Sequence, residues 1–113
     1  SDSADQALRC LYPADSGQVV DFSANPALAI AYVELKSVRH SIAQQEKRES
    51  QLKQTLQQAM GEATRAKFSS GYITWKKAKD STALDVATML KEKPYLQVRY
   101  TVVKEGSRRF LIA

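Results

Sequence analysis

Residues 25–61 read Asn25-Pro26-Ala27-Leu28-Ala29-Ile30-Ala31-Tyr32-Val33-Glu34-Leu35, continue without a glycine or proline, and close on Leu56-Gln57-Gln58-Ala59-Met60-Gly61. An Asn side chain accepts from the free N–H groups of a first helical turn, and Pro at the next position lacks a donor that would be orphaned there. Gly61 can take the left-handed conformation that closes a helix. The stretch therefore predicts one helix over 26–60, about 50 Å long at about 1.5 Å per residue.

Counting sevens from Leu28 meets Leu28, Leu35, Ile42, Glu49 and Leu56, and from Ala31 it meets Ala31, Val38, Gln45, Leu52 and Ala59. Eight of these ten positions are apolar. A seven-residue repeat keeps one seam turned toward a partner over many turns, so Leu28, Leu35, Val38, Ile42, Leu52 and Leu56 are the expected pairing seam. Gln45 and Glu49 break it inside the polar run 43–51. They read either as a polar layer that sets register or as the point where the helix crosses solvent between two separately packed ends.

Upstream, residues 1–25 read as a linker carrying one apolar docking cluster, Leu8, Leu11 and Tyr12, before Pro13 and Gly17. Downstream of Gly61 the period falls to two. Residues 64–68, the turn Ser69-Ser70-Gly71 and residues 72–77 predict a β-hairpin, with Ile73 and Trp75 on one face and Tyr72, Thr74 and Lys76 on the other. Ser81 or Thr82 is expected to cap a short helix, with Thr82 and Asp85 spaced as a capping box, Leu84, Ala87 and Leu90 as its apolar stripe, and Pro94 as its end. Alternation then resumes at Leu96, Val98, Tyr100 and Val102, and residues 108–112 read as a last strand. The expected fold is α+β: a long N-terminal helix, an antiparallel sheet of three to four strands and one short helix. It is organised as a docking segment 1–25, a helix 26–61 and a sheet module 62–113 within a single domain.

All of this sits in 113 residues, 43% apolar and 26% charged, ordinary for one soluble domain. The single Cys10 cannot form an internal bridge and suits a reducing cytoplasm. The longest uncharged apolar-rich run, 22–33, is shorter than the ~20 residues that span a bilayer, and no signal-like segment opens the chain, so no membrane insertion is expected.

The net charge of +5 is unevenly placed: residues 1–35 hold one basic residue against five acidic, and residues 36–113 hold sixteen basic against seven acidic. Arg65, Lys67, Lys76, Lys77, Lys79, Arg108 and Arg109 fall on candidate strands or beside them, where they would form either a phosphate-contacting face for duplex or single-stranded DNA or an ordinary solvated one.

Catalytic chemistry is not expected from these residues. Glycines 17, 61, 71 and 106 are too scattered for a phosphate-cradling loop. One Cys and one His cannot build a zinc site, and His40 falls on the long helix between Arg39 and Ser41. Glu34-Leu35-Lys36 has the Glu-x-Lys spacing by which metal-dependent nucleases hold magnesium, with Asp21 upstream as a conceivable partner. On a helix, however, Glu34 and Lys36 diverge by about 200°, where one octahedral ion needs converging oxygens.

Taken in order, four segments resemble the C-terminal region of YqaJ-like viral recombinases, the phage-type alkaline exonucleases of the lambda exonuclease type. They are Ala7-Leu8-Arg9-Cys10-Leu11-Tyr12-Pro13, the helix end Ala59-Met60-Gly61-Glu62-Ala63, the strand Gly71-Tyr72-Ile73-Thr74-Trp75-Lys76, and Gly106-Ser107-Arg108-Arg109-Phe110-Leu111-Ile112. The likeness spans nearly the whole chain. It implies a fragment downstream of a magnesium-dependent catalytic core, and hence an accessory module with no catalytic residue and no cofactor of its own. Its partners would be that core, a second copy through the long helix, or DNA, in the cytoplasm of a bacterial host. An unrelated small helical protein-interaction domain is the alternative.

Overall fold

The computed structural model describes residues 2–113. Its elements run α1 (Asp2–Leu11), α2 (Pro26–Met60), β1 (Arg65–Phe68), β2 (Gly71–Thr74), α3 (Val86–Glu92) and α4 (Tyr95–Tyr100). The class is α+β, with a long helix, a two-stranded antiparallel sheet and short helices. Two compact units divide the chain: Asp21–Asp80, which holds α2 and the hairpin, and the flanking residues up to Val20 together with Ser81–Ala113.

Helix α2 begins and ends where its signals lie. The Asn25 side chain accepts from the Leu28 amide at 3.1 Å, Pro26 occupies the first turn, and Gly61 stops the helix at φ 58° with its amide bonded to the Gln57 carbonyl. A side chain at Gly61 would meet no atom within 4 Å, so the requirement for glycine comes from the backbone angle alone. The hairpin follows in the register Arg65↔Thr74, Ala66↔Ile73, Lys67↔Tyr72 and Phe68↔Gly71. Its turn is the pair Ser69-Ser70, so Gly71 belongs to β2 and not to the turn. Beyond the ladder, the Trp75 amide reaches the Thr64 carbonyl at 2.8 Å.

Three expectations are corrected in the flanking unit. The linker is not wholly irregular, because residues 2–11 form α1. Asp2 and Asp5 lie in its first turn and Arg9 in its last, each matched to the helix dipole, and Leu8 and Leu11 share a face. The short helix is capped by Asp85 and not by Ser81 or Thr82. One Asp85 oxygen accepts from the Thr88 amide at 3.1 Å and the other from Thr88 Oγ1 at 2.7 Å, which leaves Leu84 outside the helix and 80% exposed.

The expected strand over 96–102 is also replaced, by helix α4 over Tyr95–Tyr100, and residues 108–112 carry no regular structure. Pro94 is pre-set for a helical start, and the Leu96 and Gln97 amides turn back to the Lys93 and Pro94 carbonyls. Among the described residues, no neighbouring strand offers residues 96–102 a ladder, without which alternation alone does not hold a strand.

Among the described residues none is buried.

Two outcomes follow from the caps. Asn25→Ala should lower the stability of α2 by about 1 kcal/mol, read as earlier loss of helical circular dichroism on heating. Hydrogen bonds from the Thr88 hydroxyl and then the Thr88 amide hold the Asp85 carboxyl below its ordinary 3.8. Its cap is therefore present above that value and is lost as pH falls through the lowered folded one. An acid titration followed by NMR should show the Thr88 amide and the Asp85 carboxyl moving together at a pH below 3.8, and Asp85→Asn should abolish the coupled shift.

Candidate helix-pairing groove

Along the middle and C-terminal part of α2, the seam faces a groove of about 950 Å³. Val38, Ile42, Leu52 and Leu56 line it, and Gln45 and Glu49 sit among them on the same wall. The opposite wall is Ile73, Thr74 and Trp75 from β2 and its continuation. The groove begins at Ser37, so Leu28 and Leu35 lie N-terminal to it, Leu35 half-buried.

The hairpin forms this wall because its faces alternate. Ala66, Ile73 and the following Trp75 point to one side, and Ala66 and Ile73 are half-buried there. Trp75 stays 46% exposed, so the indole borders the groove without being covered by α2. Seam residues are similarly open: Leu52 is 47% and Leu56 38% exposed. Ser37, Ser41, Glu46, Arg48, Lys53, Gln57 and Met60 complete the α2 wall, a mostly polar margin that the heptad count does not single out.

On its other face the hairpin carries Arg65, Lys67 and Tyr72. The Arg65 guanidinium lies 3.9 Å from the Tyr72 ring centroid, a diagonal cross-strand pair. Lys76 and Lys77 lie past the end of β2 beside Gly61 and Glu62, and Lys77 Nζ is 3.8 Å from Asp80. The seven expected DNA-contacting residues, Lys79 included, thus do not share one sheet. Arg65 and Lys67 are on β1, whereas Arg108 and Arg109 lie outside regular structure in the flanking unit, where Arg108 donates to the Tyr12 carbonyl at 3.1 Å.

The acidic and nucleophilic side chains stand apart. Glu34 and Lys36 lie on α2, and Lys36 Nζ is 5.3 Å from the Tyr32 ring centroid one turn back. Asp21 is engaged locally: the hydroxyl and then the amide of Ser23 donate to it and hold its carboxyl below the ordinary range. His40 is exposed on α2, and Cys10 is exposed on α1. No group of three His, Cys, Asp or Glu side chains among the described residues is placed to hold a metal ion. No helix among the described residues is long and apolar enough to cross a membrane.

Comparison of the chain with protein-family models, curated proteins and solved structures finds no match.

Proposed function

We propose that the chain is a non-catalytic assembly module whose long helix takes up another helix along the Val38–Leu56 groove. The observation that carries this reading is an apolar seam spaced for helix pairing that no other part of its unit covers. A 35-residue helix gains most of its stability in proteins from packing an apolar face, so an uncovered seam is incomplete as it stands. The resemblance in the four segments supplies the wider setting: the accessory C-terminal module of a phage or prophage DNA exonuclease, working in a bacterial cytoplasm whose reducing conditions suit a single exposed Cys10.

A second reading, contact with DNA, is favoured by one feature of the hairpin. Arg65 and Lys67 stand on one exposed face with Tyr72 between them, a combination of phosphate donors and a stacking ring that suits a nucleic-acid backbone.

Leu52→Asp and Leu35→Asp should release the module from its helical partner or catalytic core, measured by sedimentation or co-purification, whereas Lys47→Ala should not. Equal behaviour of all three variants would sink the assembly reading. Recovering the sequence encoded ahead of Ser1 tests the nuclease setting, because an acidic residue followed by a strand-borne Glu-x-Lys is required there. For the second reading, replacing Arg65 and Lys67 by Gln should flatten the slope of log affinity against log salt on duplex DNA by about 1.8, at about 0.9 per lost phosphate contact. No binding by the wild type at low salt would remove it.

A further inference from the structure

We infer that the helix received by the groove is α2 of a second copy of this chain, running antiparallel, with the two-fold axis beside Lys47. The inference rests on the assembly reading and names its partner.

The argument is one of register. In an antiparallel pair, a residue from one heptad series meets a residue from the other, so heptad-spaced alignments can be tested one by one against the sequence. With the axis beside Lys47, Ile42 meets Leu52 of the second copy, Val38 meets Leu56, Leu35 meets Ala59, and Gln45 meets Glu49, each contact occurring twice. Apolar side chains meet apolar ones, and the two polar interruptions meet each other. The Gln45 amide can then donate to the Glu49 carboxylate in place of water.

Sliding one heptad in one direction sets Gln45 against Ile42 and Glu49 against Val38. Sliding in the other direction sets them against Leu56 and Leu52. Either arrangement strands an amide and a carboxylate on apolar surface, which costs free energy without a compensating bond. A parallel pair stacks Glu49 on Glu49, a like-charge layer inside the seam. Only the first alignment satisfies every layer.

Two further features agree with it. The groove runs from Ser37 to Met60, so its midpoint falls within one turn of the same axis. Arg48 flanks the seam and in this alignment comes within reach of Glu49 of the second copy, which gives the central carboxylate a cationic neighbour as well as an amide. At each end, the wall formed by Ile73 and Trp75 would then close over the Leu35–Val38 turn of the other copy.

Cross-linking distinguishes the alignments. In a Cys10→Ser background, Arg48→Cys places two thiols across the two-fold axis only in the proposed register, whereas Leu52→Cys meets its own counterpart only in a parallel pair. Mild oxidation should give a disulfide-linked dimer of Arg48→Cys in several-fold higher yield than of Leu52→Cys. The unmodified chain should sediment at twice its 12.6 kDa with a concentration-dependent fraction of monomer.

Preferential linkage of Leu52→Cys would overturn the antiparallel register. A wild-type chain that stays monomeric at the highest soluble concentration, with α2 intact by circular dichroism, would overturn the second copy altogether. In that last case, release of the catalytic core by Leu52→Asp would still uphold assembly with a different helix, so the two readings fail separately.

Discussion

The apolar seam of α2, open along the groove faced by β2, is the constraint on which the other features depend. Its side chains cannot be covered from within their own unit, because the hairpin supplies one wall and leaves Trp75 and Leu52 about half exposed. Hydrophobic burial is the main favourable term in folding, roughly 25 cal/mol for each Å² removed from water. A helix that leaves this seam in water gives up much of that term, and under the proposed assembly its folding would be linked to association.

Within the same unit, the hairpin separates two kinds of surface by alternation alone. Ala66, Ile73 and Trp75 look toward the groove, while Arg65, Lys67 and Tyr72 look away from it. One short sheet can therefore wall an apolar slot and present cations on its opposite side without either role disturbing the other. The polar pair Gln45 and Glu49 would act differently under the proposed pairing: it would contribute little stability, yet would penalise every alignment that leaves it facing hydrocarbon, which is how a polar layer selects register.

The short helices of the flanking unit are held by local bonds, the Asp85 cap and the turn-backs that start α4, while Arg108 makes a long-range contact to the Tyr12 carbonyl. Its large apolar side chains, among them Val98, Val103 and Phe110, remain exposed. Elements stabilised at this range form and break over a few residues, so they sit at the low end of local stability.

The sequence by itself determined the limits of α2 and the existence of the hairpin. Each depends on neighbours within a turn or two: Asn25 on the Leu28 amide, Gly61 on its own backbone angle, Ile73 and Trp75 on the two-residue period of a strand. Tertiary structure alone decided the rest. Whether residues 96–102 become strand or helix depends on a neighbouring strand being present to complete their hydrogen bonds, and among the described residues there is none. Alternation at Leu96, Val98 and Tyr100 could not reveal this, since it describes side chains and not the ladder. That Arg108 and Arg109 belong to no strand was likewise invisible, because charge along a chain carries no information about which segments pair. The groove itself needed both elements in place, for its walls come from residues that the hairpin brings beside a helix only after the chain has turned at Gly61.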